Sequence, residues 1–103
     1  MKQALIALAL VAGVAHAQDL TPFSKQLDYI RSTLLDPDSA KFKNVHRANK
    51  KADYVCGDIN SKNSFGGYTG FKPFVASTGY SVIMDGASGS YQRFVDLSVE
   101  VDC

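Results

Sequence analysis

Two cysteines, Cys56 and Cys103, allow a single pairing, and that pairing ties the middle of the sequence to its far end. A bridge between them closes a loop of about 48 residues, which a chain-entropy account values at about 4 kcal/mol before native strain is subtracted. That is comparable with the whole stability of a small domain, so in an oxidising compartment the bridge narrows the folds open to the chain. The functional alternative, a redox pair or a nucleophilic thiol, lacks the C-x-x-C spacing that activates a thiolate.

The compartment is read from residues 1–17. Lys2 supplies a positive start, residues 4–15 form an apolar run too short to span a bilayer, and Ala15-His16-Ala17 is an A-x-A cleavage site. This predicts a signal peptide over residues 1–17, cleavage before Gln18, and a periplasmic or secreted product. The alternative is an uncleaved anchor. No cysteine at the cleavage point offers a lipid attachment, so no stable membrane anchor is expected. Residues 18–103, 86 in number (103 less 17), form a single small globular domain. Without Lys2 the 11 basic residues become ten against ten acidic ones, which argues against nucleic acid as a partner. The charge is unevenly spread: Lys41, Lys43, Arg47, Lys50 and Lys51 cluster without an acid, and Asp85, Asp96, Glu100 and Asp102 gather later.

Thr21 and Pro22 predict a helix start, with Thr21 as cap and Pro22 at the first helical position. Phe23, Leu27, Ile30 and Leu34 follow at helical spacing and form one apolar stripe, a core face rather than a partner face. Asp28 and Arg31 are placed to pair. Asp36-Pro37 ends the helix and starts a single turn with Asp36 as its cap.

Residues 40–48 read as a strand. Phe42 and Val45 break strict alternation, which predicts a bulge near Asn44, and the lysines suit a solvated edge. Residues 54–59 and 70–76 read as the second and third strands. Pro73 donates no hydrogen bond and places the third at an edge or a bulge. Ser77-Thr78-Gly79 is a hairpin turn in which Gly79 is free to take a positive φ. Residues 80–84 are apolar on both faces and read as a fourth strand inside the sheet. Near the end, Ser90 caps a short helix, and the alternation of Leu97, Val99, Val101 and Cys103 predicts a final strand over residues 96–103. The expected fold is α+β: an N-terminal amphipathic helix packed on a small antiparallel sheet, with one disulfide.

Residues 55–74 concentrate what is unusual, with Cys56, four of the eight glycines, and a polar run set against an aromatic one. Three patterns, Asp36-Pro37-Asp38-Ser39-Ala40-Lys41-Phe42, the run VCGDINSKNSFGGYTGF over residues 55–71, and a cysteine near the end, resemble a group of small exported bacterial and prophage-borne proteins. The resemblance covers residues 34–74 and Cys103. It implies export and one disulfide, and it carries over no catalytic residue, since no activity is established for the group. Relatives in that group would end in a helix, at odds with the alternation after Asp96.

Most enzyme chemistries fit poorly. His46 is the one histidine left after cleavage. It lies beside Arg47 with nothing in the sequence to orient its ring, so a base–nucleophile pair is not supplied. One histidine and two bridged cysteines do not make a zinc site. Asp36 and Asp38 lack the pattern of a calcium loop, and Gly66-Gly67 lacks the lysine of a phosphate loop. No metal or cofactor is expected. A small hydrolytic enzyme using Asp58, Asn60 or His46 is the alternative kept open. The favoured expectation is a non-catalytic binding module of the bacterial envelope, in one form an inhibitor, whose partner is a protein or an envelope glycan. Its expected binding residues are Asn60, Asn63, Ser64 and Tyr68, with Tyr68 at the loop tip and Phe65 and Phe71 in the core.

Overall fold

The computed structural model describes residues 17–103. The expected leader lies outside the described residues except for Ala17. A 3₁₀ turn (Thr21–Phe23) runs directly into α1 (Ser24–Ser32). A second turn (Pro37–Ser39) leads into four strands, β1 (Lys41–Arg47), β2 (Val55–Asn60), β3 (Lys72–Ala76) and β4 (Ser81–Ile83), and α2 (Ser90–Val101) follows. The strands form an antiparallel meander in the order β1-β2-β3-β4. The class is α+β with one disulfide, as the sequence implied, and the first helix occupies residues 21–32.

The sheet is buried on both faces, one helix to each. Leu27 and Ile30 of α1 pack with Val45, Val55, Ile59, Phe74 and Ala76, and Phe23 and Leu34 border them. On the other face Val101 of α2 packs with Ala48, Cys56, Val75 and Val82, bordered by Phe94 and Leu97. Adjacent residues of β2 and β3 therefore serve opposite cores: Val55 against Cys56, and Phe74 against Val75.

β1 carries the expected bulge. Lys43 pairs with Asp58 and His46 with Cys56, so Asn44 and Val45 oppose Gly57 alone. Asn44 takes φ 56°, a left-handed conformation that asparagine tolerates. The extra residue is what returns both Phe42 and Val45 to the α1 face. Gly57 opposes Phe74 in the register. A Cβ there would come within 3.1 Å of the Phe74 ring, the Lys43 carbonyl oxygen and the Val45 Cα. The bare backbone lets the Phe74 ring lie across β2 and meet Phe42 edge-on at 5.7 Å.

Several local expectations are corrected. Thr21 does not cap the helix start: the cap residue is Leu20, without a side-chain cap bond, and the Oδ1 of Asp19 just before it accepts the Thr21 N–H at 3.0 Å. That bond holds the Asp19 carboxyl below its ordinary range. Asp36 sits at the cap position of the second turn without a side-chain cap bond, and its carbonyl instead accepts the Ser39 hydroxyl at 2.7 Å. β3 is an interior strand despite Pro73. The proline nitrogen and carbonyl share the side of the strand that faces Met84, just past the end of β4; the Pro73 carbonyl accepts the Met84 N–H, and the return bond that proline does not supply falls outside the β3–β4 ladder. β4 is an edge strand, not an interior one, and its apolar faces are covered because a helix lies on each side of the sheet. The turn after β3 is organised by the Ser77 hydroxyl, which accepts N–H bonds from Gly79 and Tyr80, and Gly79 is not among the glycines with positive φ.

The largest correction is the final strand. Residues 96–101 continue α2, which starts after Gly89 in the left-handed region at φ 77°. Phe94, Leu97 and Val101, spaced three and four apart, face the sheet, while Val99, which the alternation had placed beside them, is exposed. Leu97 and Val101 satisfy a period of 2 and a helical period alike; Phe94 and Ser90 fit only the helix.

The Cys56–Cys103 bridge is present, with Cα atoms 5.8 Å apart and a sequence separation of 47. It joins β2 to the end of α2. The same junction is sealed by N–H bonds from Asn49 to the Asp102 carbonyl and from Lys50 to that of Val101, at 2.8 and 2.9 Å.

Candidate binding loop

The connection between β2 and β3 is a folded loop. Lys62 and Tyr68 pair as an isolated antiparallel bridge at its neck. Inside it the Asn63 N–H donates to the Gly67 carbonyl at 2.9 Å, and the Gly66 N–H returns to the Asn63 carbonyl at 3.0 Å. The Asn63 Oδ1 accepts from the N–H groups of Phe65 and Gly67 at 2.9 and 3.2 Å, an Asx turn that fixes the tip. Gly66 takes φ 81° and Gly70 φ 101°. At the base, the Asn60 Oδ1 accepts the Gly70 N–H at 3.0 Å. Two of the four expected binding residues, Asn60 and Asn63, thus have their carbonyl oxygens committed to shaping the loop.

Ser64 and Phe65 stand at the tip. Phe65 is 94% exposed and Phe71 41%, so neither belongs to the core as expected. Tyr68, expected at the tip, is 40% exposed and lies at the neck. Its hydroxyl donates to the Ser39 carbonyl at 2.9 Å, and its ring lies beneath the Lys41 and Lys62 ammonium groups at 4.5 and 5.7 Å. Lys43 stands over Phe71 at 4.2 Å. Each contact of this kind contributes about 0.5–1 kcal/mol at an exposed site. Lysines of edge strand β1 therefore cover Tyr68 and Phe71, and Phe65 stands apart from them. The spacing of Lys41 and Lys43 with Tyr68 and Phe71 in one neutral domain was the available signal, and it does not reveal register without the structure.

Asp58 and His46 come together around Asn44. The Asn44 amide donates to Asp58 Oδ2 at 3.0 Å, and its carbonyl lies 2.9 Å from His46 Nδ1. His46 Nε2 lies 2.8 Å from the Cys103 carbonyl oxygen. The ring is thus flanked on both sides by backbone carbonyls, contrary to the expectation that nothing would orient it, and a neutral imidazole donates to one of the two. Asn60 is engaged at the loop base, apart from this pair.

Gln26 and Asp53 form a tie between elements that sequence spacing does not reveal. Buried Gln26 donates to the Asp53 carbonyl at 3.0 Å, and the Asp53 carboxylate accepts the N–H and hydroxyl of Thr78, joining α1 to both hairpin turns.

The hollow under the loop, lined by Leu34, Ile59, Lys62, Gly70 and Lys72, has a volume of about 240 Å³, below the roughly 300–1,000 Å³ of small-molecule sites. A wider open groove of about 510 Å³ beside β4 contains none of the expected residues. Among the described residues, no group of three or more histidine, cysteine or acidic side chains is placed to hold a metal ion, and no helix is long and apolar enough to cross a membrane. No known family, no curated protein and no solved structure matches the chain.

Proposed function

We propose that the chain is an exported, non-catalytic binding module, periplasmic or secreted after loss of residues 1–17, that engages a partner protein through the loop of residues 60–70. The observation that carries this reading is Phe65. A large aromatic side chain stands 94% exposed on a loop whose own hydrogen bonds, centred on Asn63, hold its shape. A single apolar anchor on a preorganised loop loses little entropy on insertion into a partner's cleft, which suits a small domain and an inhibitor in particular. The neck contributes Tyr68, Lys41 and Lys62, and the tip Ser64. A protein fits better than an envelope glycan, because the hollow beside the loop is small and the anchor projects outward.

The test is capture from envelope and medium fractions on immobilised protein, wild type against Phe65→Ala. A partner retained by the wild type and lost by the variant at equal stability bears the reading out. Equal capture by both overturns it. The hydrolytic alternative is not favoured, because His46 has both nitrogens against backbone carbonyls.

A further inference from the structure

We propose that Gln18 is a protected cyclisation site: the fold holds its side-chain amide on the edge strand and so slows its conversion to pyroglutamate once cleavage exposes its amino group. This rests on the reading that the leader is removed before Gln18. An N-terminal glutamine attacks itself. Its α-nitrogen adds to the side-chain carbonyl carbon, a C–N bond forms in a five-membered lactam, and the side-chain nitrogen departs as ammonia. Nothing is oxidised or reduced, and the N-terminal positive charge is lost.

The geometry opposes that reaction. Gln18 Nε2 donates to the Val45 carbonyl at 2.6 Å, and Gln18 Oε1 accepts the Val45 N–H at 3.0 Å. Both ends of the amide are spent on one residue. Val45 lies in the bulge of β1, the outermost strand of the sheet, so its backbone groups have no strand partner on that side. Gln18 fills the place of a neighbouring strand. Ring closure requires the amide to leave both bonds and turn back on its own amine, and it destroys the donor that the Val45 carbonyl holds. The fold thereby preserves a covered edge at the bulge, where an open strand would invite pairing with another chain, and the positive charge of the N-terminus.

The experiment follows the full protein, expressed with its leader and recovered from the periplasm, by intact mass and N-terminal fragmentation over days at fixed pH and temperature. The references are the same protein held in urea and a free peptide of residues 18–23. The loss of two hydrogen bonds before reaction predicts cyclisation at least about tenfold slower in the folded protein than in either reference. Equal rates, or a product already fully cyclised on recovery, overturn the protection while leaving the cleavage reading intact. An N-terminus at any residue other than Gln18 overturns the cleavage reading and this inference with it.

Discussion

The Tyr68 hydroxyl donates to the Ser39 carbonyl at 2.9 Å, and the Ser39 hydroxyl accepts the Lys62 N–H at the same distance. Ser39 therefore holds both sides of the loop neck, where Lys62 and Tyr68 pair. The turn of residues 36–42 and the long run of residues 55–71 stand out separately in the sequence, and in the fold one serves as the seat of the other.

Ser39→Ala removes the acceptor for the Lys62 N–H and the donor to Asp36, in a buried side chain. The expected loss is about 1–3 kcal/mol, read from the midpoint of urea unfolding. Tyr68→Phe removes one bond and costs about 1 kcal/mol by the same measure. A Ser39→Ala midpoint equal to that of the wild type shows that the neck does not depend on this seat.

Phe65→Ala is expected to change stability by no more than about 0.5 kcal/mol, since the side chain is almost wholly in solvent. Tyr68→Ala is a poorer probe of binding, because it also strips the neck. A drop of several kcal/mol in the Phe65 variant places that ring in a packing role.

Gly57→Ala places a methyl group within 3.1 Å of three atoms, two of them backbone. Backbone does not swing aside as a side chain would, so the expected cost is about 1–3 kcal/mol. Near-ultraviolet circular dichroism should report a displaced Phe74 environment. An unchanged spectrum and midpoint show that β1 and β2 part freely at the bulge.

Cys103→Ser is expected to destabilise by about 2–5 kcal/mol, and unfolded, unreduced wild type should show no free thiol. Both cysteines are bridged. A variant with an unaltered unfolding midpoint means that the hydrogen bonds at Asn49 and Lys50 close the end of α2 by themselves.

Asp19 gives a pH signature. Its carboxyl is held below its ordinary value of 3.8 by the Thr21 N–H. A carboxyl lowered on folding contributes stability in full above its unfolded pKa and loses it as pH falls through the lower folded value. Asp19→Ala should therefore lower the melting temperature at pH 6 and make no difference once the pH is well below that folded value. A difference that persists unchanged into strong acid assigns the effect to something other than the ionised carboxylate.

The helix stripe, the bulge and the bridge were legible because each is a local or combinatorial signal. Phe23, Leu27, Ile30 and Leu34 fit one period, Phe42 and Val45 break another, and two cysteines pair in one way. Leu97, Val99 and Val101 misled because a short alternating run is also a piece of helix, and only the sheet face that Phe94 and Leu97 cover decides between them. β4 misled because two apolar faces mean burial on both sides, which a pair of helices supplies as well as neighbouring strands do. In the loop, the tip went to the wrong ring: Phe65 stands there and Tyr68 lies at the neck. Placing Phe65 outward depends on the Asx turn of Asn63 and on the Tyr68–Ser39 bond, and neither has a one-dimensional trace.

The meander order also sets a sequence of events. Every strand lies beside its neighbour in the chain, so the sheet can zip up hairpin by hairpin with little loop-closure entropy to overcome. Cys56 lies on β2, between β1 and β3, and Cys103 lies just past the end of α2. The bridge therefore supplies a long-range closure that the meander's local order does not, tying the end of the last helix to an interior strand.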